Sequence, residues 1–193
     1  MTVMLLGLVS FLGVHSVHAL APSWRARRIV AWGEGRWKLL YSLVSLVGFV
    51  LLVWGYGQAR ADAAQLLWLP PVWARHLAAA LTLPAIVLLV AAYVPGNHLR
   101  ARLGHPMLVG TVLWAAAHLL ASGWLHAVVL FAAFAVWALL ALVAALRRDR
   151  RAGVRRVGGR WHATALTVVL GGGLWWLFAF HLHGRLIGVA PLG

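Results

Sequence analysis

"WKLLYSLVSLVGFVLLVWGYGQAR", residues 37–60, decides the class of fold. No charged side chain occurs between Lys38 and Arg60. As a helix rising about 1.5 Å per residue, such a stretch reaches about 30 Å, the thickness of a bilayer's hydrocarbon core. A surface helix of a water-soluble domain would interrupt the run with charges on its wet face. Here Tyr41, Ser45, Gly48 and Gly55 follow i, i+4, i+7 and i+14, which is one face of small and polar residues. That face suits close approach of a neighbouring helix in a membrane. Residues 38–57 therefore read as a membrane span.

The rest of the chain agrees. Of 193 residues, 63% are hydrophobic and 10% charged, with a mean hydropathy of +0.88. A soluble domain is about half apolar and a quarter charged. Five further apolar segments stand at about 3–21, 76–95, 106–122, 125–146 and 162–183, the fourth span (106–122) being the shortest. A turn at Ser122–Gly123 hands that span directly to the next. The expected architecture is all-α: a polytopic membrane bundle of about six transmembrane helices, one domain over residues 1–193.

Charge sets the topology. Loop one holds Arg25, Arg27, Arg28, Arg36 and Lys38; loop three holds Arg100 and Arg102. Loop five, "RRDRRAGVRRVGGR", adds Arg147, Arg148, Arg150, Arg151, Arg155, Arg156 and Arg160. Only Arg60, Arg75 and Arg185 remain for the other side. By the positive-inside rule the odd loops are cytoplasmic and both termini lie outside. The N-terminal "MTVMLLGLVS" lacks a leading positive charge, so the first segment is expected to stay as a span. Placed in short loops, the formal charge of +14 reads as a topology and headgroup signal, with no nucleic acid as partner. Tryptophans at 24, 32, 37, 68, 73, 124 and 161 flank the segments as interfacial belts.

The chain has no cysteine, which excludes disulfides, thiol nucleophiles and c-type haem attachment. Its three acidic residues, Glu34, Asp62 and Asp149, are too few for paired-carboxylate chemistry or carboxylate metal cages. Ten histidines dominate the remaining proton and metal chemistry.

Only two histidines sit well inside apolar spans. His15 lies about two-thirds of the way along the first, sharing a face with Gly7, Phe11 and His18. His118 lies in "HPMLVGTVLWAAAHLLASG", residues 105–123, on a stripe with Thr111, Trp114 and Ser122. A polar side chain at such depth should face the bundle interior and find a partner. His105 is 13 residues before His118 and falls on nearly the opposite side of the helix at about 100° per residue. Before Pro106 it reads as part of a helix start. His18, His76, His98, His126, His162, His181 and His183 lie near the boundaries, where histidines are commonplace. Two imidazoles on separate helices can hold haem b in a bundle; a histidine–histidine hydrogen bond or a proton relay would use the same residues. "GGGLWW", residues 171–176, reads first as a close-packing point and second as room for a flat ligand.

Three stretches carry a resemblance: "FLGVHS" in span one, residues 37–60 in span two, and residues 105–123 in span four. Together they resemble the NnrU family of bacterial membrane proteins, over roughly residues 1–145. The resemblance implies a bacterial inner-membrane protein, with periplasmic termini, associated with nitrite and nitric oxide reduction. The family is similar to the 15-cis-zeta-carotene isomerase of plants and cyanobacteria, a haem b enzyme. That likeness implies haem b as cofactor, with His15 and His118 as iron ligands, and its histidine before proline matches His105; because His15 and His118 differ in depth by about 11 Å along untilted helices, His105 is the natural substitute ligand. The isomerases carry a cysteine three residues before the histidine matching His118, whereas this chain has Ala115 there. A thiolate ligand is thus excluded. Three functions follow as expectations: a haem protein of nitrogen-oxide metabolism, a haem-dependent isomerase of an apolar polyene, or a non-catalytic assembly factor for nitrogen-oxide reductase components.

Overall fold

The structure, a computed structural model, describes residues 1–62, 65–189 and 191. These form α1 (Thr2–Leu20), α2 (Pro22–Trp32), α3 (Glu34–Ala61), α4 (Val72–Ala91), α5 (His98–Leu103) and α6 (Pro106–Ala121). There follow α7 (Leu125–Arg151), α8 (Trp161–Leu177), a π-helical turn (Phe178–Leu182) and α9 (His183–Ile187). Helices α1, α3, α4 and α7 and the run Trp161–Ile187 are long and apolar enough to cross a membrane. The 16 residues of α6 are apolar but reach only about 24 Å. The helical membrane bundle expected from hydropathy is thus present, with five full-length spans and one short one.

Two of the basic loops are themselves helical: loop three holds α5, and loop one holds α2, which has no buried residue. The Arg28 guanidinium sits 5.5 Å from the Trp24 ring and 5.3 Å from the Trp32 ring. Arginines over indoles on an exposed helix between two spans are what an interfacial helix presents to headgroups. The cluster of arginines and tryptophans, read only as topology and belt signals, also builds local structure.

The chain divides into two compact units, one of residues 1–67 with 124–133, the other of residues 68–123 with 134–193.

In the first unit, α1 packs along α3 through glycines. A Cβ at Gly48 would stand 2.8 Å from the Phe11 backbone nitrogen, and one at Gly7 or Gly55 would overlap the backbone of Leu52 or Met4. The partners run in opposite order, so the helices are antiparallel. The small face expected on residues 41–55 is this contact. Side chains on the other faces of α3, among them Leu39, Leu43, Val47 and Val53, are exposed, as lipid-facing residues are. Leu66 pairs with Trp124 in an antiparallel bridge, and the Leu125 N–H donates to the Gln65 carbonyl at 2.9 Å.

In the second unit, α4 is the hub, contacting α6 and α8. A Cβ on Gly110 of α6 would stand 2.8 Å from the Ala85 carbonyl oxygen, and one on Gly171 of α8 would stand 2.7 Å from the Val87 Cα. Gly171 is therefore a packing glycine, while Gly172 and Gly173 face open space. Trp175 donates its indole N–H to Thr82 Oγ1 at 3.0 Å, across α8 and α4. Between α4 and α5, Asn97 is fully buried. Its amide nitrogen donates to the Ala91 and Val94 carbonyls at 2.8 and 2.6 Å, and its Oδ1 accepts the Arg100 N–H at 2.7 Å. This caps α5 and satisfies a polar group that would otherwise be costly to bury.

Candidate functional site

The site is built from imidazoles, beginning with His118 on α6. Its Nδ1 lies 2.8 Å from the Trp114 carbonyl oxygen, one turn back on the same helix. A carbonyl only accepts, so this bond places the proton on Nδ1 and the lone pair on Nε2. The Trp114 ring centre is 5.1 Å from the imidazole, and Phe134 packs edge-on against that indole at 5.5 Å. Ring orientation and tautomer are thereby fixed. Metal-ligating histidines show this arrangement, one nitrogen tied to a carbonyl and the other turned to the metal.

His15 on α1, in the first unit, repeats it. Its Nδ1 donates to the Phe11 carbonyl at 2.6 Å, again four residues back. Phe11 and Tyr41 flank the ring, with centres at 4.3 and 5.5 Å. So each of the two histidines selected from the sequence has its Nε2 as the acceptor nitrogen.

His105 is placed differently. Its Nε2 contacts Asp149 Oδ2 at 2.9 Å, and Arg156 donates to the same carboxylate oxygen. Both side chains are partly buried, His105 24% and Asp149 20% exposed. With its Nε2 engaged there, His105 ties the start of α6 to the basic end of α7, beyond the apolar residues 125–146. Arg156 first, then His105, holds the Asp149 carboxyl below the usual carboxylate range. A depressed carboxylate stabilises the fold above its unfolded pKa of about 3.9, and that stabilisation is lost as pH falls through the folded value. Asp149→Asn should therefore lower the melting temperature of solubilised protein at pH 7. The mutant and wild type should converge as the pH falls through the lowered folded-state value of the carboxyl; equal melting at pH 7 would show the cluster idle.

The boundary histidines divide by partner. His98 is tied to Thr164 Oγ1 through both its backbone N–H (3.0 Å) and its ring Nδ1 (2.8 Å), a structural link between α5 and α8. His126 is buried, edge-on to Tyr56 at 5.0 Å. His181 packs against Trp176 at 4.6 Å. Thr111, on the expected polar stripe, turns its hydroxyl back to the Met107 carbonyl at 2.9 Å. His183 is the residue that sequence reasoning left among the boundary histidines. Its ring centre lies 6.5 Å from that of His118, with 28° between the planes, both in the second unit. Its Nδ1 donates to the Val189 carbonyl at 2.6 Å.

Among the described residues no group of three or more metal-ligating side chains is gathered. A bare transition-metal cage needs about that number. A porphyrin supplies four nitrogens itself and asks the protein for one or two more.

Comparison with curated proteins and with solved structures returns no significant match. The profile of the NnrU protein family matches residues 3–191. Covering nearly the whole of this helical membrane bundle, that match makes the chain a member of the NnrU family.

Proposed function

We propose that this protein binds haem b in the membrane, with His118 as the iron ligand on which the site is built, and that it serves nitrogen-oxide metabolism. One observation carries the reading. His118 lies in an apolar helix with its Nδ1 proton given to the Trp114 carbonyl, the tautomer in which Nε2 is the nitrogen able to donate to a metal. The resemblance to the zeta-carotene isomerases implies His15 as a further candidate haem ligand, and on α1 its Nδ1 is likewise given to a carbonyl of its own helix.

Haem b, when bound, would supply a redox-active and Lewis-acidic iron within the apolar layer. The chain's own residues do the rest. The carbonyls of Trp114 and Phe11 fix the two tautomers, and Trp114, itself packed against Phe134, stands beside the His118 ring. With no cysteine in the chain a thiolate ligand is excluded, and with imidazoles as ligands the site would be of the bis-histidine, electron-transfer or small-ligand kind.

The test is an absorption spectrum of full-length protein purified from a haem-replete host. A Soret band and reduced α and β bands at a stoichiometry near one haem per chain are expected. Colourless protein that also fails to take up added haemin would sink the proposal and leave the assembly-factor function standing.

A further inference from the structure

We infer that the crevice between loops three and five holds the phosphate of an anionic phospholipid, gripped by Arg100, Arg156 and Arg160. The inference does not depend on haem binding.

The first observation is that two like-charged loops are pressed together. A Cβ at Gly159 would overlap the His98 backbone, and the Arg160 N–H donates to the Gly96 carbonyl at 2.8 Å. Gly96 and Gly104 both have positive φ, and an arginine lies against each. A Cβ at Gly104 would overlap the Arg156 guanidinium, and one at Gly96 would stand 3.0 Å from Arg160 Nη2. Beside these glycines opens a crevice of about 240 Å³, lined also by Asn97, Arg100 and Val157. Backbone contacts thus bring three guanidinium groups to one place.

The second observation is the missing counter-charge. Asp149 is the only acidic side chain in the second compact unit. It is already shared by Arg156 and His105. Arg100 has one bond, from its guanidinium to the Ala92 carbonyl at 3.2 Å. The Arg160 guanidinium makes no hydrogen bond or ion pair among the described residues. Like charges gathered in this way repel, and a guanidinium presents paired N–H donors that match phosphate oxygens. An anion from outside the chain offsets the repulsion.

The third observation selects a lipid as the source. Tyr93 follows α4 directly and Trp161 opens α8, so the crevice lies at the ends of two spans, at headgroup depth. Both rings are largely exposed, as is Val157 on the crevice wall. A phosphate diester bearing acyl chains meets both the arginines and this apolar rim, whereas a free anion meets the arginines alone. A choline headgroup would bring its own cation towards three arginines, so the preferred lipid carries net negative charge.

The test follows the melting temperature of full-length, delipidated protein in neutral detergent, titrated with phosphatidylglycerol, phosphatidylcholine or inorganic phosphate. About half-molar salt screens diffuse attraction between distant charges. Phosphatidylglycerol should stabilise the wild type, and phosphatidylcholine should not. Arg160→Gln should melt like wild type without lipid, because its guanidinium holds no other residue. Its apparent affinity for phosphatidylglycerol should fall by about tenfold, as loss of a charge-assisted hydrogen bond implies, and that of Arg100→Gln likewise. Arg151→Gln, which removes the same charge from loop five outside the crevice, should keep the wild-type affinity. Equal losses in Arg151→Gln and Arg160→Gln would overturn the inference, showing diffuse attraction with no built site. Equal stabilisation by phosphatidylcholine would overturn it too. Millimolar inorganic phosphate protecting as well as phosphatidylglycerol would overturn the assignment to lipid.

Discussion

His118→Ala is expected to abolish stable haem binding. Changes to partners that merely orient a ligand cost about 10–100-fold in metal affinity, so loss of the ligand itself should exceed about 100-fold, or some 2.7 kcal/mol. The variant should purify colourless, or pale and high-spin, and take up haemin only with added imidazole. Folding should survive: His118 is one half-buried ring, and the contacts of α6 with α4 run through Gly110, away from it. If His118 served only an interhelical hydrogen bond, the change would cost about 0.6–2 kcal/mol of stability and leave the spectrum alone. Spectrum and melting curve together separate the two outcomes.

The second large effect concerns α1 and α3. Gly55→Leu should disrupt their packing, because even a Cβ there overlaps the Met4 backbone, which has no flexible end to yield. Gly7→Leu should do the same against Leu52. Overpacking in cores costs about 1–3 kcal/mol, and separating two helices in lipid forfeits close packing that no hydrophobic force replaces. A loss of about 3 kcal/mol or more per site is expected, read as a lower melting temperature and loss of cross-linking between α1 and α3. The same helices contain their own controls. Gly13 and Gly57 meet nothing within 4 Å of an added Cβ, and leucine there should be neutral or slightly stabilising through helix propensity. Equal damage at all four positions would show that close approach is not what these glycines provide.

Hydropathy made the spans legible to within a few residues, because an apolar run of bilayer length has few alternatives. The packing face on residues 41–55 was legible for the same reason: helical periodicity puts Gly48 and Gly55 on one side whatever else happens. Reading stopped where local geometry departed from the regular helix. The amphipathic α2 lay in a segment whose arginines had already been explained by topology. His105 and Asp149 are 44 residues apart and meet only because α6 and α7 pack, so no local pattern announces their ion pair. His183 was set aside with the other histidines near span boundaries, and the π-helical turn just before it leaves no mark in the hydropathy pattern. His15 and His118 stood out because depth in an apolar run is a sequence property; the carbonyl that each uses had to be seen.

The antiparallel contact of α1 with α3 also bears on how the protein is made. It is made between Thr2 and Ala61, through glycine-to-backbone contacts of these two helices. A nascent chain can therefore set this helical hairpin while α4 is still being synthesised. The hairpin would shield its small polar face from lipid before the histidine-bearing α6 enters the bilayer, and a leucine at Gly55 would be felt first as a fault in insertion order, ahead of any loss of cofactor.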